Sequence, residues 1–109
     1  MDTIATATFT GNRIITCGIE NEVPVKLQAI LWSMIENDRH QGKDLDYLQV
    51  FKLSPTFENG VVEQKIIHEQ EQPKRKTKTL IKLDCPIVSA KIFVIDDADY
   101  VTILLNYEY

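Results

Sequence analysis

Residues 64–83, QKIIHEQEQPKRKTKTLIKL, constrain this chain more than any other stretch. Acids lie before a central proline and bases after it, so the segment reads as two antiparallel strands about a turn. With the turn centred on Pro73 and Lys74, Gln72 pairs with Arg75, Glu71 faces Lys76, Glu69 faces Lys78 and Ile67 faces Leu80. On the other face His68 opposes Thr79, Ile66 opposes Ile81 and Gln64 opposes Leu83. Opposite charges near the tip and apolar pairs below it are what cross-strand pairing favours.

The remaining elements must supply partners for this hairpin. A chain of 109 residues, 44% hydrophobic and 26% charged, is expected to form one domain spanning 1–109 with a core of its own. Cys17 and Cys85 stand alone, without CxxC spacing. The first residues show no basic stretch before an apolar run, and the longest apolar segments are too short to span a membrane. The expected setting is the cytoplasm, with both thiols free, no membrane contact, and no metal or other cofactor.

In chain order, Ile4–Phe9 and Arg13–Ile19 are β-prone segments flanking Gly11-Asn12, and they suggest an N-terminal hairpin. A helix over about residues 24–39 follows. Pro24 suits its first turn, and Leu27, Ile30, Leu31, Met34 and Ile35 form one apolar stripe. Lys26, Gln28, Ser33 and Glu36 fall elsewhere and are expected in solvent, with Trp32 at the edge of the stripe. Leu45–Leu53 reads as a strand covered on both sides and ended by Ser54-Pro55. A last hairpin turns at Asp96-Asp97-Ala98-Asp99, pairing Ile95 with Tyr100, Val94 with Val101, Ile92 with Ile103 and Ala90 with Leu105. Its last three pairs make an apolar face for the core. The fold class that follows is α+β, an antiparallel sheet of five to seven strands with one amphipathic helix packed on one face.

One helix covers only part of such a sheet. Phe93, Ile95, Tyr100, Leu104, Ile67 and Leu80 remain as surplus apolar residues, which points to a homodimer or a protein partner on that face.

The ENEVPVKLQAILWSMI, LDYLQVFKLS, QKIIHEQEQP and AKIFVIDDADYVTILLNYEY stretches resemble a family of small Gram-positive bacterial proteins. That family is catalogued as domain of unknown function number nine hundred and sixty. The resemblance runs from Arg13 to Tyr109 and implies a compact cytoplasmic protein, some of its relatives carried on mobile elements. It brings no established activity and no functional residues.

Candidate chemistry is sparse. On a strand, His68 and Gln70 point one way and Glu69 and Glu71 the other, so the four cannot converge on one ion without a bulge. Asp96, Asp97 and Asp99 suit a solvated turn better than a calcium loop. Cys17, Cys85, His40 and His68 match no zinc-ligand spacing. Phosphate-binding and hydrolase motifs are missing. The basic run is the best binding candidate, with five bases and no acid between Lys74 and Lys82: Lys74, Arg75, Lys76, Lys78 and Lys82. Four of them share one strand face and could track phosphates, although a charged edge strand also guards against aggregation. The net charge of −4 weighs against nonspecific nucleic-acid binding by the whole surface. The preferred reading is a noncatalytic interaction or accessory module. The alternative is a nucleic-acid-associated accessory protein using strand 74–82, and the third is a small enzyme using His68.

Overall fold

A computed structural model describes residues 7–57 and 60–109 of the chain. The strands are β1 (Asn12–Ile15), β2 (Leu48–Thr56), β3 (Glu63–Glu71), β4 (Lys74–Ile81), β5 (Ala90–Asp96) and β6 (Tyr100–Leu105). Two helices, α1 (Cys17–Glu22) and α2 (Val25–His40), separate β1 from β2, and a 3-10 turn (Asn106–Glu108) follows β6. The strands form one sheet in the order β1-β6-β5-β2-β3-β4, all antiparallel except β1 with β6. The α+β class holds. Among the described residues, no helix is long and apolar enough to cross a membrane.

The core lies between α2 and one sheet face. Leu27, Leu31 and Ile35 of α2 are buried with Phe51, Ile66, Ile92, Val94, Val101, Ile103 and Leu105 from the sheet. Trp32 lies half-buried at the margin, as expected, whereas Ile30 and Met34, read as part of the buried stripe, are also only half-buried. Gln28 departs from expectation. It is buried, because its amide nitrogen donates to the Val23 carbonyl at 2.8 Å and closes the start of the helix. Pro24 is the N-cap residue rather than the first helical one.

Segment 13–19 is a strand only to Ile15. Thr16 then caps α1, its hydroxyl accepting from Ile19 N at 3.3 Å, and Ile19 is fully buried. Glu108, brought by the C-terminal turn, accepts from Thr16 Oγ1 at 2.6 Å and from Gly18 N at 3.1 Å. Those bonds, with a third from Leu105 N, hold its carboxyl below the usual range. The expected N-terminal hairpin gives way to a parallel β1–β6 ladder. Of its expected first strand, Ile4–Thr6 lie outside the described residues, and Ala7–Phe9 form no strand.

Both predicted hairpins exist, and both are two residues out of the predicted register. In β3–β4, Glu69 faces Lys76, Glu71 faces Lys74, His68 faces Thr77 and Ile66 faces Thr79. The turn sits on Gln72 and Pro73, not on Pro73 and Lys74. Its anchors come from outside the hairpin: Asp46 Oδ2 accepts from Gln72 N at 2.9 Å and from Glu71 N at 3.3 Å. In β5–β6, Ile95 faces Thr102, Val94 faces Ile103 and Ile92 faces Leu105. Asp96 extends β5, since its N–H donates to the Tyr47 carbonyl and its carboxylate accepts from Phe9 N. A two-residue slip leaves every side chain on its predicted face, so the core survives both errors. Strand β2 also runs past Ser54-Pro55, with Pro55 opposite Gln64.

Candidate functional site

The register gives the sheet two unlike faces. The face under α2 takes Gln49, Phe51 and Leu53 of β2 and Gln64, Ile66, His68 and Gln70 of β3, all buried. Among the described residues, neither α1 nor α2 lies over the opposite face. It takes Leu48, Val50 and Lys52 of β2, Ile67 and Glu69 of β3, and Lys76 and Lys78 of β4. Lys91, Phe93 and Ile95 of β5 and Leu104 of β6 complete it.

His68 sits in a closed polar network on the helix side. Its Nε2 lies 2.6 Å from Gln49 Oε1, and its ring stacks on Phe51 with centroids 4.3 Å apart. Gln49 Nε2 donates to the Asp46 carbonyl at 2.8 Å and to Gln70 Oε1 at 2.9 Å. Gln70 Nε2 in turn donates to the carbonyls of Asp44 and Pro73 at 3.1 and 2.8 Å. Gln70 Oε1 also accepts from Arg75 at 3.1 Å and from Asp46 N at 3.2 Å. The nearest carboxylate to His68 Nδ1 is Asp38 Oδ2 at 3.9 Å, which Arg75 also approaches at 3.9 Å. Burial pushes the imidazole down to about 4; Asp38 opposes that shift and Arg75 and Lys43 reinforce it. The void between His68, Asp38, Arg75 and Thr77 measures about 10 Å³, room for a water but not for a substrate.

The basic run divides between the faces. Lys74, Lys76 and Lys78 stand on the open face, whereas Arg75 points under α2 into the His68 network. Lys82 lies beyond the end of β4. The expected ion pairs Glu69–Lys78 and Glu71–Lys76 give way to the shifted register. Glu69 instead meets Lys52 of the neighbouring strand at 2.8 Å, a contact that holds its carboxyl below the usual range. β4 is an edge strand, as a lysine-guarded segment requires.

By register Phe93, Ile95, Tyr100, Leu104, Ile67 and Leu80 all fall on the open face, spread from β6 to the edge strand β4. Their exposure is uneven. Leu104 is buried, Tyr100 is 47% exposed, and the other four are half-buried. Tyr109 supplies some of the cover, meeting Phe93 edge-on at 5.5 Å.

A groove of about 560 Å³ opens on this face. Leu48, Val50 and Tyr47 line it, and its charged rim is balanced, with Lys52, Lys74 and Lys91 beside Asp46, Glu69 and Glu71. Sequence reasoning missed Lys52 and Lys91 as companions of the basic run. Each stands alone in an apolar strand, and only the β2–β5 pairing sets them side by side.

The other candidates resolve into structure. Asp96 and Asp97 accept from Ala98 N and Tyr100 N and thereby build the turn between β5 and β6. Cys17 and Cys85 are free thiols. No cluster of three or more metal-ligating side chains occurs among the described residues. Trp32 carries the Arg13 guanidinium 4.5 Å from its ring centre, and Arg13 also pairs with Glu36 at 2.9 Å.

Residues 12–108 match the model of a family described as "Staphylococcal protein of unknown function (DUF960)". A crystal structure of a protein of unknown function from Enterococcus faecalis superposes with a TM-score of 0.75 at 24% identity, covering 91% of each chain. That likeness establishes the fold. A comparison with curated proteins finds no match.

Proposed function

The chain belongs to the DUF960 family, and from that premise we propose that it is a noncatalytic interaction module of the cytoplasm. The observation that carries this reading is the one-sided sheet. Both helices leave uncovered a face on which Val50, Ile67, Phe93 and Ile95 are half-buried among lysines. Apolar side chains in that setting gain from a further partner, at roughly 25 cal/mol for each Å² removed from water.

The state of His68 supports the same reading. Its Nε2 is committed to Gln49, and the space beside it holds no substrate-sized cavity. A general base needs access to the proton that it takes.

The experiment is affinity capture from native cytosol with the wild-type chain and a Tyr47→Asp variant as baits. Tyr47 lines the groove and is 55% exposed, so the change alters the face while sparing the core. The expected result is a protein retained by the wild type and lost by a variant whose circular dichroism and melting are unchanged. Equal capture by both baits would remove the open face from the function.

A further inference from the structure

We propose that the chain forms a two-fold dimer in which the outer edge of β1 pairs with that of a second copy. This goes beyond the interaction reading above, because it lies at the sheet edge, apart from the groove. β1 ends the sheet, and among the described residues no strand lies on its outer side. Its ladder with β6 runs through even-numbered residues: Asn12 N donates to the Asp99 carbonyl at 3.0 Å and Thr16 N to that of Ile103 at 3.3 Å. By the alternation of a ladder, Arg13 and Ile15 turn their own N–H and C=O outward. Such an edge templates further pairing unless charge or proline blunts it. β4, at the other end of the sheet, is blunted by Lys74, Lys76 and Lys78. The one charge on β1 is Arg13, already paired with Glu36 at 2.9 Å and laid over Trp32. Ile14 and Ile15 stand 39% and 42% exposed.

Symmetry and alternation fix the register. Directly opposed residues of an antiparallel pair point to the same face, so a two-fold copy with both helices on one side must centre on a single residue. Centring on Arg13 would set two guanidinium groups against each other. Centring on Asn12 or Ile15 would run the pairing off the end of the strand. Centring on Ile14 sets that residue against its own copy on the open-face side, and Arg13 against Ile15 on the helix side. Arg13 and Ile15 then exchange N–H···O bonds across the axis, which uses every outward group of both residues. The incoming Ile15 meets Arg13 where a groove of about 510 Å³ runs along α2 past Ala29, Trp32 and Glu36.

Other pairings fit less well. A copy added along β4 would oppose Lys76 to itself or to Lys78. A foreign extended peptide takes the backbone bonds only, whereas a second copy also brings an isoleucine to each exposed isoleucine at the required spacing. The axis stands perpendicular to the sheet, so the open faces of the two copies lie side by side on one surface, with Ile14 at the seam.

The test is sedimentation equilibrium of the full chain at micromolar concentration. A dimer is expected, and Ile14→Lys should raise its dissociation constant about tenfold or more, because two ammonium groups would face each other across the axis. Ile14 is exposed at the edge, so the circular dichroism and melting of that variant should match the wild type. Ile14→Cys, in a chain also carrying Cys17→Ser and Cys85→Ser, reads the register. Opposed residues of a non-hydrogen-bonded pair have Cα atoms about 4.5 Å apart, within disulfide reach, so mild oxidation should give a covalent dimer. Asn12→Cys in the same background shares the face but is displaced from its own copy along the strand, and it should not cross-link. A monomeric wild type, a dimer indifferent to Ile14→Lys, or Asn12→Cys cross-linking as readily as Ile14→Cys would each overturn the proposal.

Discussion

His68 Nε2 and Gln49 Oε1 lie 2.6 Å apart inside the protein, and backbone carbonyls fix the direction of that hydrogen bond from a distance. The carbonyls of Asp44, Asp46 and Pro73 can only accept, so Gln49 and Gln70 must turn their amide nitrogens toward them. Gln49 then has only its oxygen left for His68, and the imidazole must carry its proton on Nε2. A histidine whose neighbours suggest acid–base chemistry serves here as a donor in a closed network.

That tautomer has a pH consequence. The folded pKa is about 4 against about 6.5 when unfolded, so the folded state binds fewer protons between those values. Stability from this group is complete above about pH 6.5 and falls as pH drops toward 4, by about 3 kcal/mol in all. Asp38, Arg75 and Lys43 are the charged groups that bear on the ring. Nitrogen-15 NMR should show protonated Nε2 and no titration of His68 between pH 8 and 5.5. A midpoint near 6.5 would contradict the buried network.

Gln49→Leu should be costly despite its similar volume. It strips a donor from Gln70 Oε1 and from the Asp46 carbonyl, and it leaves the His68 N–H facing a methyl group. Buried polar groups left in this way cost about 1–3 kcal/mol each, and relaxation should hold the total to about 2–3. Urea unfolding checks this, with a lower midpoint at unchanged slope as the expected result.

Gly11→Ala should destabilise through backbone, not side-chain, crowding. A Cβ there would lie 2.7 Å from the Asp99 carbonyl oxygen and 2.8 Å from that of Ala98. Neither can swing away, because Asn12 N donates to Asp99 O and holds the β5–β6 turn against this strand. A loss of about 1–3 kcal/mol is expected, read from the thermal midpoint.

Lys91→Glu should do the opposite. It converts a like-charge cross-strand pair with Lys52 into an attractive one and should stabilise by about 0.2–1 kcal/mol. A gain in melting temperature would mark the Lys52–Lys91 pair as a repulsive contact in the sheet. A loss of stability would mean that Lys91 has a structural role on the face.

Much of this was legible in advance because faces follow from alternation. Of the residues assigned to the core side of the last hairpin, Val94, Val101, Ile92, Ile103 and Leu105 are buried and Ala90 is half-buried. The six surplus apolar residues do share the other face. α1 was missed because β-branched Ile14 and Ile15 precede it. Thr16 as a cap, with Glu20 in the first turn, was the available signal. The basic run lies on an edge strand, the alternative weighed against phosphate binding, and Arg75, grouped with the lysines as a binding residue, turns under α2.

The sequence by itself determined which face of each hairpin strand turns inside, since a one-residue slip would expose the core at a cost that no turn could offset. It left each hairpin free to slip by two, because that preserves the faces and changes only partners of similar kind. The tertiary structure made that choice through contacts distant in sequence. Asp46 grips the Gln72 turn, and Asp96 is held between Phe9 and Tyr47. The same long-range pairing brought Lys52 beside Lys91.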